Sequence, residues 1–320
     1  MKQWQRKLII NMSEYKKHRP NMCKFPFSGV TINPDGNFVL CCYSPGYKIG
    51  HISEHKSIRN FFNDHKIGLV RDEFKEGRLP LQCQGSCASS RRGGRPAPID
   101  NEAEDLFWSD DDFKKDDHDV YYLEFTPSNA CNASCSTCGS KFSSKWIGLD
   151  NKAVEQGLEF RNPDGRQGSA NRSTGKNYVM SDSDYEKIIE ALPTVKRVMM
   201  KGGEPLADKR NIKFLEHVKQ NKISTTINMI TNFSLVDDKM IDLFAGIDNL
   251  YISVSIDGVH TQHDWIRSTE FTKIINNIEK YYERTGKTVA VITTFSMYNF
   301  FNADECIEMF SRMESVKQIN

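Results

Sequence analysis

From about residue 120 onward, short runs of β-branched and aromatic residues alternate with stretches whose apolar residues recur at helical spacing. The β-rich runs predict five strands, at 121–125, 197–200, 223–230, 250–256 and 288–295. The helical spacing is clearest at Tyr185, Ile188 and Leu192 and at Phe271, Ile274 and Ile278. This alternation predicts an α/β fold with a parallel sheet, partly closed into a barrel whose site lies at the carboxyl ends of the strands.

Two segments interrupt the alternation. Residues 91–119 join an Arg-, Gly- and Pro-rich stretch to a mostly acidic run, which is typical of a solvated linker. Residues 146–180 contain a Gly-, Asn- and Arg-rich segment that predicts a long loop, either a substrate lid or an insertion without a role. The predicted organisation is an N-terminal module (1–90), a linker (91–119) and a core (120–320).

The composition limits which partners and which roles for the cysteines are expected. Lys and Arg total 43 against 42 Asp and Glu, so the net charge of +1 gives no signal for a nucleic-acid or membrane partner. No apolar run reaches the roughly 20 residues of a membrane-spanning helix, and the polar start is unlike a secretory signal. We therefore expect a cytoplasmic protein, in which nine cysteines are metal ligands or nucleophiles rather than disulfides.

Three cysteines follow the first predicted core strand. Cys131, Cys135 and Cys138 have the spacing C-x3-C-x2-C. A [4Fe–4S] cluster normally takes four cysteines, so three would leave one iron open to a substrate or cofactor. Zinc is the alternative, because C-x2-C is also a zinc spacing and a fourth ligand can come from elsewhere in the chain.

A second motif, Gly202-Gly203-Glu204-Pro205, follows the second predicted strand. Two glycines let a ligand approach the backbone, their carbonyls can accept hydrogen bonds from an ammonium group, and Glu204 adds a charged partner. A Gly-Gly pair alone indicates no more than a turn. Its position one βα unit after the cysteines points to a ligand shared with them.

Two further motifs complete a recognisable set. Thr231-Asn232 ends the third predicted strand, and Ser253-Val-Ser255-Ile-Asp257-Gly258 lies on the fourth. With them, the chain from about residue 119 resembles the radical SAM superfamily. The resemblance implies that Cys131, Cys135 and Cys138 hold a catalytic [4Fe–4S] cluster, whose open iron is chelated by the amine and carboxylate of S-adenosylmethionine.

The resemblance also implies a cofactor site and an activity. The residues it assigns to the cofactor are Gly202, Gly203 and Glu204 for the amino group, Ser255 or Asp257 for the ribose, Arg267 for the carboxylate, and Asn232 in the same site. The implied reaction is reductive cleavage of S-adenosylmethionine to a 5′-deoxyadenosyl radical that abstracts hydrogen from a substrate. Thr137 departs from the family, which usually has an aromatic residue there, and puts the adenine contact in doubt.

A second cysteine group precedes the linker. Asn33-Pro-Asp-Gly36 is a turn signal between two β-rich runs, so a hairpin would bring Cys23 and Cys41 together. Cys83 and Cys87 supply a second pair, which completes a four-thiolate metal site. A structural zinc ribbon is the alternative.

The spacing C-x12-G-x4-C, from Cys23 through Gly36 to Cys41, resembles the opening of SPASM and twitch modules. This implies an auxiliary [4Fe–4S] cluster of the shorter twitch type, although such modules usually follow the core rather than precede it. Cys41 fits the spacing, whereas Cys42 is either an alternative ligand or a buried thiol. Cys306 lies on the apolar face of its helix and is predicted to be core.

The chain is thus predicted to be a partial (β/α)6 radical SAM barrel preceded by a small cysteine-rich, twitch-like hairpin and helix module. The five predicted strands are one short, so either a strand is unrecognised or the chain is truncated at its C-terminus. A peptide or protein side chain is the favoured substrate, and flavodoxin or ferredoxin the expected reductant. The rival is a non-catalytic zinc- or iron–sulfur-binding interaction protein.

Overall fold

A computed structural model describes residues 23–42, 47–84, 115–157 and 177–320. In these residues nine strands form one sheet in the order β3-β2-β1-β4-β5-β6-β7-β8-β9. The strands are β1 (Gly29–Ile32), β2 (Asn37–Val39), β3 (Lys48–His51), β4 (Tyr122–Phe125), β5 (Arg197–Met200), β6 (Thr226–Thr231), β7 (Leu250–Ser255), β8 (Val289–Ile292) and β9 (Val316–Ile319). The pairs from β1–β4 to β8–β9 are parallel, and β1–β2 and β2–β3 are antiparallel.

Helices occupy the connections between the strands. They are α1 (Phe25–Ser28), α2 (Ile58–Phe62), α3 (His65–Lys75), α4 (Leu81–Gln84), α5 (Trp146–Glu155), α6 (Asp182–Ala191), α7 (Lys209–Gln220), α8 (Asp238–Ala245), α9 (His260–Arg267), α10 (Phe271–Thr285) and α11 (Ala303–Ser311). Single 3-10 turns lie at Ile52–Glu54, Pro205–Ala207 and Phe300–Asn302. None of the helices described is both long and apolar enough to cross a membrane. The predicted α/β alternation is confirmed.

One face of the sheet packs against the helices. Phe125 on β4 contacts Tyr185 of α6 and Phe214 of α7, with ring centroids 6.1 and 5.7 Å apart. Residues on this face, such as Val198 and Met229, are fully buried. The alternation of strand side chains therefore sends the intervening residues to the opposite face.

The opposite face, called here the inner face, is more polar. One register row across it consists of Thr31, Glu124, Met199, Asn228 and Tyr251. Except for Thr31 and Glu124, the residues of this row are half-buried or exposed. At the amino end of the face, Phe25 of α1 packs edge-to-face on Tyr122, with centroids 5.3 Å apart. The inner face is thus covered at its amino end.

The strand count predicted from the sequence needs one correction. β9 pairs in parallel with β8 and is a sixth core strand that the sequence analysis did not recognise. It is an edge strand whose central residues, Lys317 and Gln318, are exposed, so it has no run of apolar residues. An edge strand needs little apolar surface, which explains why the β-rich pattern missed it.

The predicted hairpin is confirmed. β1 and β2 pair around the turn at residues 33–36, and Gly36 has φ +74°. The amide of Asn33 also donates to the carbonyl of Asn37 at 2.9 Å. Beyond that prediction, β1 pairs in parallel with β4, so the sheet continues from the N-terminal module into the core. Most of the predicted linker lies outside the described residues, and the domain boundary stays a prediction.

Candidate active site

The cysteine loop begins where β4 ends and is fastened by small polar residues. The Asn129 side chain donates to the Ser140 carbonyl at 2.9 Å, and the Ser144 amide donates to the Asn129 carbonyl at 2.7 Å. The Ser143 hydroxyl donates to the Ala133 carbonyl at 2.6 Å. These bonds fasten the loop, because each satisfies a backbone group that a tight loop would leave unpaired.

The three thiols of this loop differ in exposure. Cys135 is buried, Cys131 is half-buried and Cys138 is exposed. Burial raises the pKa of all three thiols. Charge on a neighbouring thiol raises it further: Cys135 acts on Cys131, Cys138 on Cys135, and Cys131 on Cys138. The three sulfur atoms are therefore close enough to interact electrostatically.

In the described part of the chain, no three His, Cys, Asp or Glu side chains are close enough together to hold one metal ion. Thiolates of a zinc site all bind the same ion at about 2.3 Å. Thiolates of a four-iron cluster bind different irons and lie farther apart.

The end of α9 packs against the cysteine loop. The Ser136 amide donates to the Ile266 carbonyl at 2.7 Å, and the Cys135 thiol donates to the Arg267 carbonyl at 3.4 Å. Ser268, which caps α9 in a left-handed conformation, also donates to the Ser134 carbonyl at 3.1 Å. The sequence contained no separate signal for this contact, which joins segments about 130 residues apart.

The glycines of the Gly-Gly-Glu-Pro motif allow an unusually close approach between two loops. Gly202 has φ +127°, and a Cβ there would lie 2.0 Å from the Thr126 methyl group. A Cβ on Gly203 would lie 2.2 Å from the Ala130 carbonyl oxygen, to which the Glu204 amide donates at 2.8 Å. The glycines were predicted to make room for a ligand. In the structure Gly203 makes room for the cysteine loop and Gly202 for Thr126, and the approach of a ligand stays a prediction.

Glu204 is buried and accepts hydrogen bonds on both oxygens. Oε1 accepts from the Thr231 hydroxyl at 2.6 Å and the Leu206 amide at 3.1 Å, and Oε2 accepts from the Asn232 amide at 2.7 Å. Burial raises the pKa of Glu204, whereas these three bonds oppose the rise. A carboxylate accepts about four bonds, so room for a further donor remains.

Asn232 links the end of β6 to the cysteine loop. Its side-chain amide donates to Asn132 Oδ1 at 2.9 Å, and Asn132 in turn donates to the Ser234 hydroxyl at 2.8 Å. The Oδ1 atom of Asn232 accepts from the amide and the hydroxyl of Ser234. Asn132 and Ser234 were missed by the sequence analysis, since single polar residues in loops carry no periodic signal.

Asp257 and Arg267 form a buried ion pair beside the thiols. Arg267 Nη1 lies 2.6 Å from Asp257 Oδ2, and the Thr294 amide donates to Asp257 Oδ1 at 2.7 Å. Burial would lower the pKa of Arg267, but the charges of Cys135 and Asp257 raise it overall. Within the described residues, Arg267 Nε is buried without a hydrogen-bond partner. Ser255 is half-buried at the carboxyl end of β7.

The N-terminal cysteines lie elsewhere. Cys23, Cys41 and Cys83 are 5–7% exposed and belong to the hydrophobic core, and Cys42 is half-buried. Because Val39 pairs with Thr31 in an antiparallel ladder, the chain leaves β2 toward the amino end of β1, where Cys41 lies. Cys23 directly precedes α1, which leads into the same end. Cys87 lies outside the described residues.

Two other cysteine-region predictions can be compared with the structure. Cys306 is 2% exposed on α11, as predicted for a core residue. Thr137 is exposed beside Cys138, so this position presents no aromatic ring. The structure thus brings together the cysteine loop, Glu204, Asn232 and Arg267, and places Cys23 and Cys41 at the other end of the sheet.

Two family models match the sequence of this chain. The model of the radical SAM superfamily matches residues 125–312, more than half of the chain, and the chain therefore belongs to that superfamily. The model of the SPASM iron–sulfur cluster-binding domain matches residues 23–88. The radical SAM domain implies a [4Fe–4S] cluster and S-adenosylmethionine, and the SPASM domain implies an auxiliary iron–sulfur cluster on the N-terminal side of the chain.

Solved structures of similar fold are distant. The structure of anSMEcpe with bound S-adenosylmethionine and Kp18Cys peptide is 17% identical, with a TM-score of 0.44, and the match covers 62% of this chain and 51% of that one. Streptococcus suis SuiB bound to precursor peptide SuiA is 15% identical, with a TM-score of 0.40, covering 76% and 50%. The chain spans about half the length of these proteins. No curated protein matches it.

Proposed function

We propose that the chain cleaves S-adenosylmethionine reductively at a [4Fe–4S] cluster held by Cys131, Cys135 and Cys138, and abstracts hydrogen from a peptide or protein side chain. The observation that carries this proposal is the junction of the cysteine loop with the Gly-Gly-Glu-Pro loop at Ala130, Gly203 and Glu204. It places three thiols and a buried carboxylate at the carboxyl ends of neighbouring parallel strands.

The donor set fits a cluster with one open iron. Three interacting thiols come from one loop, and Cys138 is exposed. When bound, the cluster and S-adenosylmethionine supply one-electron reduction of the sulfonium and a 5′-deoxyadenosyl radical. The protein orients the two and supplies charge complementarity at fixed positions.

Charges around the thiols suit an amino-acid ligand. Glu204 keeps room for one donor and would accept from an ammonium group near the carbonyls of Gly202 and Gly203. The unpartnered Nε of Arg267 would donate to a carboxylate. Both oxygens of Asp257 are already engaged, which favours Ser255 over Asp257 for a ribose hydroxyl. Asn232 acts by positioning Glu204 against the cysteine loop.

The N-terminal module would hold the auxiliary cluster through Cys23, Cys41, Cys83 and Cys87. The burial of the first three suits a cluster that is part of the core. A module of SPASM type also supports a peptide substrate, because enzymes that carry such modules often modify peptides or protein side chains. The electron would come from a small reductant such as flavodoxin or ferredoxin.

Anaerobic reconstitution with iron and sulfide tests the proposal. With dithionite and S-adenosylmethionine, the loaded protein should form 5′-deoxyadenosine and methionine in equal amounts, measured by liquid chromatography. Broad absorbance near roughly 400 nm should accompany loading, whereas a zinc protein is colourless. A sample with a full iron content that forms no 5′-deoxyadenosine would contradict the proposal and favour the interaction-protein alternative.

A further inference from the structure

A buried ion pair lies on the inner face, below the candidate cofactor site. Glu124 on β4 has a side chain that is 3% exposed, and the Lys201 ammonium lies 2.8 Å from its Oε1. Lys201 is 33% exposed and immediately precedes Gly202. The pair is therefore reachable from the inner face on its lysine side, next to the junction of the two loops.

A third polar group joins the pair from the N-terminal module. Thr31 on β1 stands directly opposite Glu124 in the parallel register, so the two side chains share the inner face. Thr31 is 2% exposed, and among the described residues its hydroxyl has no hydrogen-bond partner. An unsatisfied buried hydroxyl costs about 1–3 kcal/mol, which a bound ligand group would recover.

The position of these groups is suited to a substrate. Thr126 and Gly202, which touch at the end of β4, lie on their carboxyl side. Phe25 and Tyr122 cover the inner face on their amino side. A molecule entering from the carboxyl ends of the strands would therefore meet Lys201, Glu124 and Thr31 before it met the apolar floor.

The chemistry of the three groups selects the ligand. The ion pair has no net charge, so a charged ligand group buried here would lack a counterion, which is costly. A neutral group with both a donor and an acceptor matches better, because a carboxylate only accepts, an ammonium only donates and a hydroxyl does both. A primary or secondary amide has one carbonyl acceptor and at least one N–H donor.

We propose that Thr31, Glu124 and Lys201 bind a backbone amide group of a peptide substrate. The amide N–H donates to Glu124, and the amide carbonyl accepts from Lys201. The Thr31 hydroxyl forms a hydrogen bond with the same amide group. This inference rests on the proposed function and names the part of the substrate that the enzyme holds. It also gives the N-terminal module a direct role in the substrate site, through a single strand.

The test uses the reconstituted full chain and a pool of random hexapeptides that contain no Asn or Gln and have acetylated N-termini and C-terminal dimethylamides. A matched pool carries N-methylated backbone amides, which lack the N–H donor. For the wild type, the first pool should stimulate 5′-deoxyadenosine formation at least about tenfold more than the second, since the second cannot donate to Glu124.

Thr31→Val removes the hydroxyl with little change of shape. It should raise the half-saturating concentration of the first pool about five- to tenfold, with a smaller effect on the limiting rate. Glu124→Leu, which removes the acceptor, should do the same and lose the preference for unmethylated peptides. Thr31→Ser, which keeps the hydroxyl, should retain the wild-type half-saturating concentration. Thr226→Val makes the Thr-to-Val change on the inner face of β6 and should have no effect. Iron content and S-adenosylmethionine binding verify that each variant is folded.

The outcomes separate the inference from the proposed function. A wild type that forms no 5′-deoxyadenosine overturns both. A wild type that forms it but responds equally to both pools, or to neither, overturns the amide site alone. An unchanged half-saturating concentration in Thr31→Val, with the wild type stimulated, likewise overturns the role of β1.

Discussion

The two cysteine groups lie at opposite ends of one sheet and in different surroundings. At the carboxyl end, Cys138 is exposed and Cys131 is half-buried in a loop fastened by polar hydrogen bonds. Cys23 and Cys41 lie at the amino end, and both are buried in the hydrophobic core, as is Cys83. Thiols that share a cluster with an incoming ligand must stay accessible, whereas thiols that only hold a cluster can be built into the core. The difference predicts catalysis at one end and stability at the other.

The largest effect is expected from replacing Cys131, Cys135 and Cys138 with alanine together. Formation of 5′-deoxyadenosine should fall at least about 10³-fold, and iron should fall by about four atoms per chain, because the catalytic cluster has no other ligands. Iron analysis and product chromatography measure both. Cys306→Ala is the matched control, a buried cysteine in α11 whose loss should cost about 1 kcal/mol and leave iron unchanged. Continued cleavage of S-adenosylmethionine by the triple variant would contradict the assignment of catalysis to the carboxyl end of the sheet.

Arg267→Gln tests how much the buried ion pair with Asp257 stabilises the carboxyl end of the sheet. It leaves Asp257 buried without its counterion, so the free energy of unfolding should fall by about 3–5 kcal/mol in urea titrations. Adding Asp257→Asn should recover most of this loss, because no charge then stays buried. Arg284→Gln, which breaks surface pairs with Asp238 and Asp242, should change it by less than about 1 kcal/mol. Equal losses for the two arginines would contradict the buried-pair account.

At the amino end, replacing Cys23, Cys41 and Cys83 with alanine should mainly affect stability. We expect a loss of about four irons per chain and about 3 kcal/mol of unfolding free energy, because the thiols and their cluster are part of the core. Some cleavage of S-adenosylmethionine should remain. Cys42→Ala, at the half-buried neighbouring position, should keep the metal. A wild type that contains zinc in place of this iron would favour the zinc-ribbon alternative.

The smallest effect expected is a pH dependence in α9. Burial, with the nearby charge of Arg267, lowers the pKa of His263 to about 4. In the unfolded chain His263 takes up a proton as the pH falls below about 6.5, whereas in the folded chain it does so only near pH 4. The folded state therefore loses stability as the pH falls from about 6.5 to about 4. His263→Gln should remove about 2–3 kcal/mol of that dependence, measured by urea unfolding at pH 7 and 4.5. The exposed His65→Gln should leave it unchanged.

Most core elements were predictable because their signals are local. β5 has the predicted bounds, β4, β7 and β8 lie within the predicted runs, and β6 extends one residue beyond its predicted run, to Thr231. β9 was missed because an edge strand with exposed Lys317 and Gln318 has no apolar run. The pairing of β1 with β4 was not predictable either, since it joins segments about 90 residues apart across a stretch without sequence pattern.

For the candidate site, the chain by itself determined the chemistry. The spacing of Cys131, Cys135 and Cys138, and the Gly-Gly-Glu-Pro motif one βα unit later, identified the family, because ligand type and order along the chain are properties of sequence. Only the tertiary structure decided that Gly203 makes room for Ala130 and that α9 packs on the cysteine loop. It also decided that Thr31 faces Glu124. These depend on strand order and register, which are settled by packing between distant segments.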